Sequence, residues 1–96
     1  MTPEAKTKQQ VRKLLDELGV YYFFPPANGY GRAGIPDVVG CINSIFFAVE
    51  CKAGKNTTTA LQDRELAKIE DAGGIAFVAR ENNIEELREK LVCRMK

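Results

Sequence analysis

Apolar residues along the chain follow two kinds of spacing, which together predict seven elements of secondary structure. From Pro3 to Leu18 they recur every three or four residues, as on one face of a helix. The same spacing predicts two further helices, at about 60–72 and 84–92. Continuous apolar runs rich in aromatic and β-branched residues predict four strands, at 20–24, 38–42, 45–49 and 75–79. The predicted order is α-β-β-β-α-β-α.

Residues at the element ends support these boundaries. Thr2 is a good N-cap, Pro3 suits the first helical position, and Gly19 suits the end of the first helix. The pair Gly73-Gly74 ends the second helix. Asn83 is the predicted N-cap of the last one.

The short polar pair Asn43-Ser44 lies between two strands and predicts a hairpin. The strand after it, 45–49, is apolar on both faces, which is typical of a central strand. A helix connects this strand to the one at 75–79, and such a crossover predicts a parallel pair. We therefore expect an α/β fold in which helices flank a mixed four-stranded sheet.

The hairpin register places two acids side by side. If Asn43 and Ser44 form the turn, Ile42 faces Ile45 and, further out, Asp37 faces Glu50. Like charges directly opposite on two strands destabilise a sheet, so the arrangement needs a compensating partner. A divalent metal is the best candidate. The alternative is that both acids belong to a surface salt-bridge cluster at the end of the hairpin.

The alternation of side chains along a strand predicts the face on which each neighbour of Glu50 lies. Lys52 shares a face with Glu50, whereas the Cys51 side chain points to the opposite face and into the core. The backbone carbonyl of Cys51 lies between the two acids. Two carboxylates and a carbonyl are ligands that suit Mg²⁺ or Mn²⁺. With Lys52 stabilising developing charge, this set contains the parts for metal-assisted phosphodiester hydrolysis.

Composition narrows the alternatives. At 96 residues the chain is long enough for one domain, and the absence of histidine excludes His-based metal sites and Ser-His-Asp triads. Three cysteines without a CxxC pair indicate reduced thiols and argue against zinc. No apolar run approaches a membrane span and no signal-peptide core is present, so we expect a cytoplasmic protein without a membrane partner.

The net charge of +1 does not indicate a nucleic-acid partner by itself, so any basic surface must be local. Tyr30 and Arg32 lie in a glycine-rich loop, 27–34, where an arginine can bind a phosphate; an ordinary connector is an equal alternative. Arg12 and Lys55 are further candidates for contacts with nucleic acid. The aromatic strand 21–24 is expected to be core or a subunit contact.

The motifs around Asp37 and Glu50 resemble those of a known family. Pro36-Asp37 followed by Glu50-Cys51-Lys52 looks like the signature of the PD-(D/E)XK nucleases. Within that superfamily the chain resembles the VRR-NUC family, which has a G-x-PD block, an E-x-K block and a Thr-x-x-Gln that opens the next helix. The matching segments are 28–40, 49–52 and 59–62, and the likeness covers nearly the whole chain.

This resemblance implies a restriction-endonuclease-like core and a single nuclease domain over residues 1–96. It implies that Asp37 and Glu50 hold Mg²⁺ or Mn²⁺, that the Cys51 carbonyl is a further ligand, and that Lys52 is the catalytic lysine. Gln62 would be an active-site residue. The local alternative is that Gln62 is the capping partner of Thr59 at the head of its helix.

One departure from the superfamily concerns the first helix, where many members carry an additional metal-binding acid. Here the corresponding turn is Lys8-Gln9-Gln10, and Gln10 is the candidate replacement. The expected function is a metal-dependent, structure-specific DNA endonuclease, a homodimer that resolves four-way (Holliday) junctions. Two alternatives stay open: a nickase, flap or restriction-type nuclease with the same site, and a non-catalytic module that binds nucleic acid.

Overall fold

A computed structural model describes residues 1–26 and 33–95 of the chain. These residues form three helices and a four-stranded mixed sheet in the predicted order. The elements are α1 (Pro3–Leu18), β1 (Tyr21–Phe23), β2 (Val38–Ile42), β3 (Ile45–Cys51), α2 (Ala60–Asp71), β4 (Ile75–Ala79) and α3 (Ile84–Val92). Strand β1 is shorter than predicted, because pairing with β2 stops at Phe23 just before Pro25-Pro26. Strand β3 is two residues longer and includes Glu50 and Cys51.

The sheet has the strand order β1-β2-β3-β4. The first three strands are antiparallel and β3 pairs with β4 in parallel, as predicted for a helical crossover. Ile42 pairs with Ile45 and Val38 with Val49, which confirms the predicted hairpin register. Both turn residues, Asn43 and Ser44, have positive φ, and this conformation matches the twist of a two-residue hairpin.

Two helices cover one face of the sheet and one covers the other. Alternate residues of β3, including Phe47 and Val49, are buried against the apolar stripes of α1 and α3. Helix α2 packs against β3 and β4 from the opposite face, the face to which Glu50 belongs. Because β3 is buried on both sides, its two-sided apolar sequence is explained.

Strand β1 divides its aromatic residues between the two faces. Tyr22 and Phe24 pack against the core, whereas Tyr21 is 71% exposed and Phe23 48% exposed. The expected core role is confirmed for the first pair. A subunit contact stays a prediction for the second.

The predicted N-cap residues stand at the starts of their helices, although one of them makes no capping hydrogen bond. The Thr2 hydroxyl accepts a hydrogen bond from the Ala5 N–H at 3.1 Å, and Gly19 ends α1 in the left-handed conformation. Asn83 is the N-cap residue of α3, as predicted, but its side chain makes no capping hydrogen bond. That side chain accepts from the Arg80 N–H and donates to the Val78 carbonyl, so it closes the loop after β4 instead.

Among the described residues, no helix is both long enough and apolar enough to cross a membrane.

Candidate active site

Asp37 and Glu50 lie side by side where β2 begins and β3 ends. The Asp37 N–H donates to Glu50 Oε1 at 3.1 Å, and the Cys51 N–H donates to Asp37 Oδ2 at 2.8 Å. Each carboxylate is therefore bound to the backbone of the other's strand, which continues the hairpin pairing beyond Val38. This exchange fixes one oxygen of each acid. The other two oxygens, Asp37 Oδ1 and Glu50 Oε2, are held by side chains.

Each of these two oxygens faces an ammonium group. Lys52 Nζ lies 3.6 Å from Glu50 Oε2, and Lys8 Nζ lies 3.7 Å from Asp37 Oδ1. The first pair is buried, with 11% and 3% of the side chains exposed; the second is partly exposed. Two acids and two lysines make the local charge close to neutral without a metal.

Burial and, to a smaller extent, the negative charge of Asp37 together raise the pKa of Glu50 from 4.5 to about 7. The charge of Lys52 and the hydrogen bond from the Asp37 N–H act against this rise. The carboxylate thus carries a net electrostatic penalty that its present partners leave uncompensated. An additional positive charge at this point would favour the ionised form.

Gln62 reaches the site from the first turn of α2. Its Oε1 accepts from the Thr59 N–H at 2.9 Å, while the Thr59 hydroxyl accepts from the Gln62 N–H, so the predicted capping box is confirmed. With Oε1 engaged, the amide nitrogen is the atom left to meet Glu50, and it donates to Oε2 at 2.6 Å. The capping role and the site contact are therefore one conformation of the same side chain.

Thr7 connects α1 to the backbone of Lys52. It is fully buried at the start of α1, and its hydroxyl lies 3.3 Å from both the Lys52 carbonyl and the Pro3 carbonyl. The Lys52 N–H donates to the Ala79 carbonyl of β4 at 2.9 Å. The backbone of Lys52 is thus held from two elements, which limits where its ammonium group can lie.

The side chain of Cys51 points into the core, as predicted, and burial raises the pKa of its thiol to about 12. Its N–H points toward Asp37. The N–H and C=O of one strand residue point toward the same neighbour, so the Cys51 carbonyl lies on the Asp37 side as well. This direction fits the expected role of a backbone ligand.

The donor set suits a hard divalent cation. Asp37 Oδ1, Glu50 Oε2 and the Cys51 carbonyl are oxygen donors of the kind that Mg²⁺ and Mn²⁺ prefer, with water supplying the remaining positions. The described residues hold no group of three or more His, Cys, Asp or Glu side chains suited to a metal. A metal here would depend on two carboxylates and on non-acidic oxygens.

Gln10, the candidate for the position of the missing acid, carries a buried Oε1 without a hydrogen-bond partner. Lys8, two residues earlier, is the member of α1 that contacts Asp37. Residues two positions apart on a helix differ in direction by about 200°, so Gln10 lies on the other flank of α1 from Lys8. A role of Gln10 in metal binding stays a prediction.

The four candidates for nucleic-acid contacts lie in different parts of the chain, and the structure describes two of them. Arg12 lies on the same flank of α1 as Lys8, with its guanidinium 4.4 Å from the centre of the Phe24 ring. Lys55 is exposed in the loop after β3. Tyr30 and Arg32 lie outside the described residues.

The contacts that Lys8 and Thr7 make in the site were not predicted from the sequence. Thr7 had a detectable signal, because it occupies the apolar face of α1 four residues before Val11. A hydroxyl on such a face indicates a buried hydrogen bond. Lys8 had none, since its direction toward Asp37 depends on how α1 crosses the sheet.

Comparison of the chain with protein-family models, with curated proteins and with solved structures finds no significant match.

Proposed function

We propose that the chain is a metal-dependent DNA endonuclease with a restriction-endonuclease-like PD-(D/E)XK core, related to the VRR-NUC family. The observation that carries this proposal is the pair of carboxylates held side by side at the strand ends, with Lys52 buried next to them. The P-D motif lies just before β2 and the E-x-K motif lies at the end of β3, so the two motifs supply these carboxylates and Lys52. An acid whose pKa is raised by burial and by a second acid is also typical of a functional site.

The roles follow from the contacts. Asp37, Glu50 and the Cys51 carbonyl would hold Mg²⁺ or Mn²⁺. Such an ion, when bound, lowers the pKa of a water molecule and stabilises charge on a phosphate. Lys52 would stabilise the charge that develops on the phosphodiester. Gln62 is a positioning residue, because its contact is with Glu50 and its conformation is set by the cap of α2.

The proposed substrate is branched DNA, and in particular a four-way junction. The shape of a junction can be recognised by a small surface through contacts with the phosphate backbone, without readout of the base sequence. Resolution requires two symmetric cuts, so a two-fold homodimer would supply two sites in the required relation. Other nuclease activities built on the same site remain alternatives for the substrate.

A non-catalytic nucleic-acid-binding module is the second candidate, and one observation favours it. All four carboxylate oxygens of Asp37 and Glu50 already have a protein partner without a metal. In addition, α1 contributes a lysine where many nucleases of this kind have an acid. Such a network can be a stable structural element.

Cleavage of four-way, flap, duplex and single-stranded DNA with Mg²⁺ or Mn²⁺ tests the proposal. Wild type should cut the four-way junction, and Lys52→Met should lose at least about 100-fold in rate, because removing a group that stabilises transition-state charge costs this much. Lys68→Met, which removes an exposed lysine on the outer surface of α2, is the matched control and should cut normally. A wild-type protein that cuts none of the substrates supports the non-catalytic module.

The oligomeric state is tested independently by light scattering at the concentrations of the cleavage assay. A dimer is expected. If the protein is a strict monomer and still cuts DNA, the proposed nuclease activity stands, but the proposed resolution of symmetric junctions is refuted.

A further inference from the structure

Lys8 is the contribution of the first helix to the site. Its ammonium group lies 3.7 Å from Asp37 Oδ1, the one oxygen of that acid which no backbone N–H holds. The buried face of α1, formed by Thr7, Val11 and Leu14, fixes the rotation of the helix, so the direction of Lys8 is set by core packing. The contact is thus built into the fold.

The position of this ammonium group bears directly on metal binding. Asp37 Oδ1 is also the oxygen that Asp37 would offer to a divalent cation. Lys8 and the cation would both require it, and two positive charges a few ångströms apart repel each other. With Lys52 already beside Glu50, the metal-free site is close to neutral and holds no excess negative charge for a cation.

We propose that Lys8 occupies the cation position next to Asp37 in the metal-free protein and lowers the affinity of the site for divalent metal. This inference depends on the proposed function, because it requires a metal at Asp37 and Glu50. Metal binding displaces the Lys8 side chain from Asp37, and 38% exposure of that side chain leaves it a path into solvent. Lys8 is then a regulator of metal occupancy and takes no part in holding the ion.

Two effects of opposite sign follow from this role. Without metal, loss of the ammonium group leaves the repulsion between Asp37 and Glu50 less compensated, so the protein becomes less stable. With metal, the same loss removes a competitor, so binding becomes tighter. A residue with only a structural role would weaken both the fold and the metal site, and the pair of measurements therefore distinguishes the two roles.

The experiment is a titration of metal-free protein with Mn²⁺ by isothermal calorimetry, for wild type, Lys8→Met and Lys8→Glu. Methionine keeps the length of the side chain and removes the charge, whereas glutamate reverses it. Mn²⁺ should bind Lys8→Met about tenfold more tightly than wild type and Lys8→Glu more tightly still, since like charges at such distances repel even in water. Without metal, the melting temperature of Lys8→Met should be lower than that of wild type.

Lys13→Met and Lys13→Glu are the matched controls. Lys13 is an exposed lysine of the same helix, about 140° around the helix axis from Lys8. Its replacement makes the same change in net charge on a different side of the helix. These variants should bind Mn²⁺ within about twofold of wild type, because exposed charges beyond the site are screened by salt.

Each outcome separates the inference from the function on which it rests. If wild type binds Mn²⁺, loses it with Asp37→Asn, and Lys8→Met binds no more tightly, the role of Lys8 is refuted and the metal site stands. If neither wild type nor Lys8→Glu binds Mn²⁺, the metal site and the role of Lys8 are both refuted. If the Lys13 variants also bind Mn²⁺ more tightly than wild type, the effect is one of net charge in general, and the specific role of Lys8 is refuted.

Discussion

The stability of the metal-free protein should fall as the pH rises, and Glu50 is the cause. Its pKa is about 7 in the fold and near 4.5 when the chain is unfolded. Between these values the folded protein binds a proton that the unfolded chain has released. The unfolding free energy therefore decreases with rising pH across this window, which is opposite to the usual behaviour of an ion-paired carboxylate.

The size of the effect follows from the same two values. A difference of one unit in pKa corresponds to about 1.4 kcal/mol, so the interval from 4.5 to about 7 corresponds to about 3 kcal/mol in total. Because only 3% of the Glu50 side chain is exposed, solvent screening removes little of this. For a small domain that loses about 1 kcal/mol per molar urea, the unfolding midpoint should shift by about 3 M.

Urea unfolding in EDTA, followed by circular dichroism from pH 4 to 8.5, measures this shift. Glu50→Gln removes the titrating group, so the difference between wild type and this variant should change by about 3 kcal/mol across the range. Glu89→Gln, an exposed acid of α3, is the control and should follow wild type. A constant difference between wild type and Glu50→Gln at every pH would refute the assignment of a buried, destabilised carboxylate.

Three substitutions test the packing around the site. Gln62→Glu can keep the cap of α2 but places a further carboxylate, besides Asp37, against Glu50, so urea unfolding should show a loss of about 1–3 kcal/mol at pH 8 and a smaller one at pH 5. In Gly40→Ala the new methyl group would lie 2.2 Å from the backbone of β1, and unfolding should show a loss of about 3 kcal/mol or more, while a neutral result would contradict the close strand contact. Gly34→Ala combines a φ of +83° with an approach of 2.5 Å to the Leu61 carbonyl, so it should displace the start of α2 and reduce DNA cleavage together with stability.

Most of the fold could be predicted because local sequence and global arrangement agree. The two-residue turn at Asn43-Ser44 fixes the register of β2 and β3, and a one-residue slip would move a whole apolar set to the wrong face. The register in turn predicts that Asp37 meets Glu50. The position of Asn83 at the start of α3 could be predicted, but the partners of its side chain could not, because the Arg80 N–H and the Val78 carbonyl compete with the helix for it.

The remainder of the site depends on packing between elements that are far apart in sequence. The contacts of Lys8 with Asp37 and of Thr7 with Lys52 join α1 to strand ends about 30 to 45 residues further on. Helical spacing shows which face of α1 is apolar, but not which flank of the packed helix lies toward the ends of β2 and β3. That placement decides whether residue 8 or residue 10, about 200° apart around the helix, reaches the acids.

The geometry of the two acids is held independently of any metal, and this bears on the proposed nuclease activity. Reciprocal backbone hydrogen bonds orient Asp37 and Glu50, the α2 cap orients Gln62, and β4 together with Thr7 restrains the Lys52 backbone. If a cation binds here as proposed, the two carboxylates need little reordering, and Lys8 is the side chain that has to move away from Asp37. The cost is borne by the metal-free protein as a buried carboxylate near neutral pKa. If the proposed function is right, this penalty is retained for metal binding, and Glu50→Gln should lose DNA cleavage even at a pH where the metal-free variant is as stable as wild type.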